Sequence, residues 1–128
     1  MTAGQKPVIA SATVELWRYP LGGATGGSGI TAVDVIVVTM EDSRGISGTG
    51  FSYVLGGDGA LVRRCAGDML ATMVVRSDIL PPPALWRRLV ASLNRVGRGI
   101  GYLAIAAIDL AAWDLHAKQR SVPLAEAL

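Results

Sequence analysis

The chain has 128 residues, of which 51% are hydrophobic and only 5% aromatic, and its formal net charge is +2. This length suits a single domain whose core is built mainly from Ala, Val, Leu and Ile. The small net charge and the dispersed arginines exclude an extended basic surface for nucleic acid. The single cysteine, Cys65, excludes an internal disulfide and a CxxC metal site.

The sequence also indicates where the protein is found. The N-terminus has no apolar run of the kind found in a signal peptide. The longest apolar runs are interrupted by Asp or Arg before the ~20 residues that a membrane span needs. We therefore expect a soluble, cytoplasmic protein with neither a membrane nor a nucleic acid as partner.

The first half of the sequence predicts a three-stranded antiparallel meander. Residues 8–19 are β-rich, and we expect Pro20 to end this strand and residues 21–29, with five glycines, to form a loop. Residues 30–40 are dense in β-branched side chains, which suits a central strand covered on both faces. The inward face of the first strand is predicted to consist of Val8, Ala10, Ala12, Val14 and Leu16.

A hairpin is predicted to join the second and third strands. Residues 41–45 form its turn, with Gly45 at the position where a positive φ is needed. The third strand follows at residues 46–53. Its Gly48 and Gly50 predict that another backbone packs closely against it.

The second half predicts a bundle of about three helices, so that the fold class is α+β. The first helix begins after Asp58 as its N-cap and runs to about Val75. The second begins within the proline run 81–83 and ends near Leu93. The apolar stripe of the first helix is predicted to contain Leu61, Cys65, Met69, Leu70 and Met73.

The last predicted helix, residues 101–118, is apolar almost all the way round. Such a helix must be buried on more than one side. Asp114 and Lys118 are four residues apart, which favours an ion pair. Asp109 and Asp114 are five residues apart and therefore on different faces, so they form a poor acid–base pair and are predicted to be structural.

The motifs of known chemistries are incomplete. Gly22 and Gly27 have P-loop spacing, but Ser28 stands where the lysine is needed and a strand follows. Neither Ser28 nor Ser47 completes a nucleophile elbow. His116 is the only histidine and has no partner at metal-ligand spacing. The residues alone therefore predict no catalytic site and no metal site.

The end of the sequence nevertheless resembles a known signature. Residues 106–118, Ala-Ala-Ile-Asp-Leu-Ala-Ala-Trp-Asp-Leu-His-Ala-Lys, are followed by Val-Pro-Leu at 122–124. They resemble the final helix of the N-terminal domain in the enolase superfamily, in its mandelate racemase and muconate lactonizing enzyme branch. The hairpin at 39–50 is similar to the second and third strands of that domain. The matching positions in the helix and after it are Asp109, Trp113, Asp114, Lys118 and Pro123.

The resemblance implies a domain organisation and a chemistry. Members of the family pair a small α+β capping domain with a (β/α) barrel. Acidic ligands of the barrel hold Mg²⁺, and its Lys or His bases remove a proton α to a carboxylate. The resemblance assigns residues 1–120 to the capping domain and 121–128 to the start of a barrel that this chain lacks. It implies that magnesium belongs to the full-length family member and that no residue of this chain binds it.

The expected activity follows from the same resemblance. The intact enzyme is expected to be a Mg²⁺-dependent dehydratase (a lyase) or racemase (an isomerase) for a hydroxy-carboxylate, with acid-sugar dehydration as the first expectation. Residues 1–128 alone are expected to be inactive. A homo-oligomer is expected.

In the family, two loops of the capping domain close over the substrate and exclude water. They correspond here to residues 21–30 and 51–59. Glycines let the first loop move, and hydroxyls can contact a substrate; a flexible connector without a contact role is the alternative. The predicted substrate-capping residues are Thr25, Gly26, Gly27, Ser28 and Tyr53.

Two other functions remain open from the sequence. The chain can be a complete α+β interaction module that associates with itself or with a separate barrel chain through its last helix. It can also be a free-standing module that binds a small molecule with the glycine loop. The second is less favoured because no anchoring charge lies in that loop.

Overall fold

We describe residues 4–25, 27 and 29–128 in a computed structural model of the chain. Three antiparallel strands in the order β1-β2-β3 are followed by helices. This order confirms the predicted α+β meander with a helical bundle. The elements are β1 (Ile9–Thr25), β2 (Ile30–Asp42), β3 (Ser47–Leu55), α1 (Gly59–Met69, continued by a π-helical turn at Leu70–Val74), α2 (Pro82–Ala91), α3 (Gly99–Gln119) and α4 (Leu124–Ala127).

The core lies between one face of the sheet and the helices. On β2, Ile36, Val38 and Met40 alternate toward the helices and are buried. Their neighbours on the other face, Val35 and Val37, are only half-buried. The prediction of a central strand is confirmed, but the prediction that both of its faces are covered is wrong for this chain, because all the helices that contact the sheet pack on one side.

Strand β1 is longer than predicted. It continues through Pro20, which pairs with Ala32, and ends at Thr25, which pairs with Ile30. Proline is tolerated here because β1 is an edge strand, where a missing N–H leaves no neighbour unpaired. The pairing is irregular between Pro20 and Thr25. The prediction that Pro20 ends the strand is therefore wrong.

An irregularity at the start of β1 changes which residues face the core. The register shifts between Ile9 and Ser11, as expected for a β-bulge. Ile9 is consequently buried and Ala10 exposed, which corrects the predicted inward position of Ala10. Beyond the shift, Val14 and Leu16 pack against the core as predicted.

The β2–β3 hairpin and its glycines confirm the predictions. Gly45 has a φ of 88° in the turn. A Cβ on Gly48 would overlap the backbone of Leu115, and a Cβ on Gly50 would overlap the backbone of Ala111. Helix α3 therefore lies directly on β3, at a distance that only glycine permits.

Most of the predicted apolar stripe of α1 and its π-helical turn faces the core, because Met69 and Leu70 are buried and Cys65 and Met73 pack against the core. Leu61 is the exception among the predicted residues. Val62 and Ala66 are buried, whereas Leu61 is 55% exposed. The buried stripe therefore begins at Val62 rather than at Leu61. Asp58 precedes the helix but makes no capping hydrogen bond through its side chain. The π-helical turn ends at Val74, close to the predicted end.

The second and third helices follow the predictions. Pro82 and Pro83 form the first turn of α2. Helix α3 contacts β2, β3, α1 and α2, so it is buried on more than one side. Its length of 21 residues and a mean hydropathy of 1.3 would by themselves suit a membrane span, but half of that window is buried inside the protein. That burial is typical of a core helix.

Candidate functional site

The two predicted capping segments leave the sheet at the same end. β1 and β3 are both antiparallel to β2 and therefore run in the same direction. Tyr19 of β1 and Leu55 of β3 pair with the same residue of β2, Val33. The Gly56 N–H then donates to the Ala32 carbonyl at 3.0 Å. We call this end of the sheet, residues 20–30 and 55–59, the capping edge.

The buried carboxylate of Asp34 joins the elements next to the capping edge. Asp34 is fully buried, and both of its oxygens accept hydrogen bonds from Arg18, at 2.6 Å from Nε and 2.9 Å from Nη2. The Gly59 N–H donates to Asp34 Oδ2 at 3.1 Å. One carboxylate thereby joins β1, β2 and the first residue of α1.

The electrostatics of this group favour its charged form. The hydrogen bonds from Arg18 lower the pKa of the Asp34 carboxyl below its usual range, and the Gly59 amide acts in the same direction, against the effect of burial. The side chain of Arg18 is 56% exposed. A half-exposed guanidinium is thus the counterion of a fully buried carboxylate.

Glycine is required where this carboxylate meets α1. A Cβ on Gly59 would lie 2.5 Å from the Asp34 Cβ and 2.8 Å from Leu16 Cδ1. Gly59 therefore permits the helix to begin directly over Asp34. The start of α1 is capped by a residue 25 positions away rather than by the adjacent Asp58.

Sequence analysis missed this anchor, although a signal was present. Asp34 is the only charged residue within the apolar run 30–40. A carboxylate in a buried strand requires a charged or hydrogen-bonding partner. Nothing in the spacing identifies Arg18 as that partner.

The predicted capping residues lie at different places. Thr25 ends β1, and Gly27 is exposed at the tip of the β1–β2 connection. Gly26 and Ser28 lie outside the described residues. Tyr53 lies within β3, opposite Val35.

The second capping segment is shorter than predicted. β3 continues through Leu55, so that only residues 56–58 connect it to α1. The prediction that this segment begins at Phe51 is wrong. Tyr53 is 55% exposed on the face of the sheet away from the helices, two residues before the strand ends. It does not lie among the residues that turn at the capping edge.

A second buried carboxylate lies at the opposite end of β2. Asp42 accepts hydrogen bonds from the N–H groups of Arg44 and Ile46 at 2.9 and 3.0 Å and from Gln119 Nε2 at 3.0 Å. The Arg44 guanidinium also pairs with Asp42, with Nη2 at 3.0 Å from Oδ2. Burial raises the pKa of the Asp42 carboxyl, but these hydrogen bonds outweigh it and the pKa is lowered. Asp42 thus joins the hairpin to the end of α3.

The carboxylates of α3 have structural positions. Asp114 Oδ2 lies 3.0 Å from Lys118 Nζ and accepts a hydrogen bond from the Thr49 N–H at 2.8 Å. The predicted ion pair is therefore confirmed, and it also joins α3 to β3. Burial raises the pKa of the Asp109 carboxyl, which lies half-buried on another side of the helix.

The described part of the chain does not bring together side chains that could bind a metal ion. Residues 4–25, 27 and 29–128 contain no group of three His, Cys, Asp or Glu side chains that could hold an ion. His116 packs edge-on against Trp113, and burial lowers the pKa of its imidazole. Burial also raises the pKa of the Cys65 thiol. A Mg²⁺ site needs several oxygen ligands, and the residues that the structure describes do not bring such a set together.

One side of α3 is not covered by the rest of the chain. Ile100, Tyr102 and Leu103 are between 37% and 45% exposed. Leu110 and Trp113 continue this side and are half-buried. We call these five residues the helix face.

Comparisons with known proteins identify the fold family. Residues 9–128 match the N-terminal domain of the mandelate racemase / muconate lactonizing enzyme family. The chain belongs to this family. It is 30% identical to the 3,6-anhydro-alpha-L-galactonate cycloisomerase of Streptomyces coelicolor over 91% of its own length and 34% of the relative's. It is 34% identical to the L-talarate/galactarate dehydratase of Salmonella typhimurium over 77% of its length and 25% of the relative's.

Solved structures agree with the sequence relatives. The Salmonella typhimurium dehydratase, solved with Mg and L-lyxarohydroxamate, superposes with a TM-score of 0.84 at 26% identity, over 98% of this chain and 34% of that one. A racemase of Streptomyces coelicolor with bound magnesium gives a TM-score of 0.82 at 28% identity, over 88% and 33%. The chain thus spans about a third of the length of these structures.

Proposed function

We propose that residues 1–128 form the substrate-capping domain of a Mg²⁺-dependent acid-sugar dehydratase or racemase. The single observation that carries this proposal is the capping edge, where the ends of β1 and β3 meet over the Arg18–Asp34 pair. Family membership supports the same function, and the relatives named above act on acid sugars or their anhydro forms.

In this proposal the chain contributes closure rather than proton transfer. The segments of the capping edge cover the substrate and exclude water, which strengthens the electrostatic interactions in the pocket. The residues that move the proton α to the carboxylate lie in the barrel, outside these 128 residues. Magnesium, when bound there, stabilises the charge that develops on the substrate carboxylate.

The domain exposes more surface than a compact monomer of its mass, which supports the proposal that a large partner docks on it. The accessible surface is 7520 Å², whereas a compact monomer of 13.3 kDa exposes roughly 6,400 Å². The helix face is one part of this excess. We propose that residues 1–120 are the capping domain, that 121–128 lead into the barrel, and that the barrel packs on the helix face.

The proposal predicts that the chain alone is inactive. Purified residues 1–128 are incubated with L-talarate, galactarate or 3,6-anhydro-L-galactonate, with and without Mg²⁺, beside the full-length Salmonella typhimurium dehydratase as positive control. We expect no turnover by the chain. Mg²⁺-dependent turnover by the chain alone would show that the chemistry does not require a barrel.

A chimera tests the capping role itself. The N-terminal domain of the Salmonella typhimurium dehydratase is replaced by residues 1–128, and the matched control is its barrel without any capping domain. We expect the chimera to dehydrate galactarate at least tenfold faster than the barrel alone. A folded chimera that is no faster than the barrel alone would contradict the proposal.

A further inference from the structure

A groove lies beside the free edge of the sheet, between β1 and α1. It consists of two adjoining hollows of about 350 and 500 Å³, which share Val14 and Gly67. We call it the edge groove. Its small and apolar lining residues are Ala12, Val14, Ala60, Gly67, Leu70 and Ala71.

The core side of β1 is less covered than that of β2. Val14 and Leu16 of β1 pair with Val38 and Ile36 of β2. The two β2 residues are fully buried, whereas the two β1 residues are half-buried. Helix α1 contacts β1 but leaves the edge groove open beside it. Apolar surface of β1 is therefore accessible on the side where the strand has no neighbour.

The backbone of β1 has hydrogen-bonding groups on the same side. β1 is at the edge of the sheet, and alternate N–H and C=O groups of an edge strand point away from its single neighbour. The start of this edge is paired, because the Ile9 N–H donates to the Ser77 carbonyl at 3.1 Å and the Arg76 N–H donates to the Ile9 carbonyl at 2.8 Å. From residue 11 onward, the edge has no such backbone partner among the described residues. Strand pairing thus begins on this edge and is not continued.

The edge groove is positively charged. Arg63 and Arg64 line one of its hollows and Arg76 lines the other. Arg64 lies 3.8 Å from Asp68, which also lines the groove, whereas Arg63 and Arg76 form no ion pair with a described residue. Three arginines and one aspartate leave a formal charge of +2. This charge favours a partner with carboxylates and disfavours one with lysines.

We propose that the edge groove binds an extended acidic segment of another protein, which adds to the sheet as a fourth strand beside β1. The backbone of the segment pairs with the free groups of the β1 edge. Every second side chain of the segment then points toward α1, where Gly67 and Ala71 leave room for an apolar side chain. Carboxylates on either side of this apolar centre reach Arg63 and Arg76. Backbone pairing supplies affinity, and the groove selects the side chains.

The position and charge of the edge groove favour a separate protein as the occupant. α3, which carries the helix face, packs on β3, whereas α1 packs on β1 at the other edge of the sheet. A barrel that packs on the helix face, as in the proposed function, therefore leaves the edge groove accessible. A second copy of the chain is disfavoured, because two grooves of the same positive charge would face each other.

Titration calorimetry with three synthetic peptides tests this inference. The first has the sequence Thr-Glu-Thr-Leu-Thr-Leu-Thr-Glu-Thr with blocked ends, so that its pattern is the same in either strand direction. In the second, lysines replace both glutamates. The third is the first peptide with N-methyl groups on its three central residues, which removes backbone donors on both of its edges. We expect residues 1–128 to bind the first peptide, and to bind the other two at least ~10-fold more weakly.

Two matched pairs of substitutions test the charge of the groove. Arg63→Gln combined with Arg76→Asn removes two positive charges from the edge groove, and asparagine suits the φ of 66° at position 76. The control combines Arg87→Gln with Arg88→Gln, which removes the same charge from exposed positions of α2. We expect the first pair to weaken binding of the acidic peptide about tenfold and the control pair to weaken it less than about threefold.

Gly67→Leu tests the space in the groove. A Cβ on Gly67 would lie 3.6 Å from Val14 Cγ1, which is an ordinary contact, so a leucine fits the fold and fills the edge groove. We expect Gly67→Leu to abolish binding of the acidic peptide. Circular dichroism confirms folding. If the leucine variant does not fold, Gly67→Ala replaces it, and we expect it to weaken binding about threefold.

Four results would overturn the inference. The first is a wild type that does not bind the acidic peptide at about 1 mM. The second is equal binding of the N-methylated or the lysine peptide. The third is a folded Gly67 variant, or the Arg63 and Arg76 pair, that binds like the wild type.

The fourth result would assign the groove to another occupant. It is loss of peptide binding either in a chimera with the Salmonella typhimurium barrel or in a self-associated form of the chain. The first case would identify the barrel as the occupant, and the second would identify a second copy. None of these measurements depends on activity, so their outcome is independent of the proposed function.

Discussion

The two ends of β2 each carry a buried carboxylate, and the two are held in different ways. Asp42 accepts hydrogen bonds from two backbone amides of its own hairpin, from Gln119 and from the Arg44 guanidinium. Asp34 depends on one arginine of a neighbouring strand and on the Gly59 amide. Each carboxylate therefore has an arginine counterion, but Asp42 has three further hydrogen-bond donors, the amides of Arg44 and Ile46 and the Gln119 side chain, whereas Asp34 has one, the Gly59 amide. At the proposed functional end, the buried carboxylate therefore has fewer remaining hydrogen-bond donors if one partner is lost.

Replacing Arg18 or Arg44, one at a time, is expected to give the largest difference in melting temperature between the two ends of β2. Arg18→Met leaves Asp34 buried with a single amide donor, and a buried carboxylate without its counterion is strongly destabilising. We expect the melting temperature to fall by about 10 °C. The matched variant Arg44→Met leaves Asp42 with its amides and Gln119, and we expect a fall of about 3 °C. Differential scanning calorimetry at pH 7 measures both; equal shifts would remove the contrast between the two ends.

Two glycines of the capping edge sharpen the same contrast. Gly59→Ala forces a Cβ against Asp34 and Leu16, and overpacking of this kind costs about 2 kcal/mol. Gly27→Ala meets nothing within 4 Å, so we expect a change below about 0.5 kcal/mol. Urea unfolding gives both free energies. A neutral Gly59→Ala would show that α1 does not need to begin directly over Asp34.

Acid should reduce the difference between wild type and Arg18→Met. The pKa of Asp34 is lowered in the folded protein, so its ionisation stabilises the fold above the unfolded value of about 3.9 and this stabilisation is lost as the pH falls through the folded value. Without Arg18 the stabilisation is already missing at pH 7. We therefore expect the two melting temperatures to converge below about pH 4. A constant difference between pH 7 and pH 3 would contradict a charged Asp34.

The smallest expected effect concerns Asp109. Burial raises the pKa of this carboxyl, so the charged form destabilises the isolated domain at pH values above its folded pKa. Asp109→Asn should therefore raise the melting temperature by about 1–2 °C at pH 7 and leave it unchanged at pH 3. A lower melting temperature at pH 7 would show that a partner stabilises the carboxylate. Asp114→Asn serves as control and should destabilise, because Asp114 pairs with Lys118 and the Thr49 amide.

The sequence predicted the parts of the molecule that depend on local chemistry. Gly45 marks a turn because of its positive φ, and Gly48 and Gly50 mark a close approach because they have no side chain. The extra length of β1 beyond Pro20 was not predicted, although the predicted meander makes β1 an edge strand, where proline is tolerated. On α1, the neighbouring Leu61 and Val62 are both apolar, and only packing against the sheet and α3 selects Val62 for the core.

The candidate site was predictable only in outline. The family resemblance placed two capping segments, and the sheet brings their ends together. The Arg18–Asp34 pair joins residues 16 positions apart on neighbouring strands, a register that no local pattern specifies. Tyr53 lies within β3, because the strand continues to Leu55, and its role as a substrate-capping residue stays a prediction.

The central claim is that the Arg18–Asp34 pair holds the capping edge in the position that covers a substrate. The most direct test is kcat/KM for galactarate in the chimera with the Salmonella typhimurium barrel, measured for Arg18→Met and Arg44→Met at a temperature where both are folded. We expect Arg18→Met to lower kcat/KM at least tenfold and Arg44→Met to change it less than threefold. Equal values for the two variants would contradict the account.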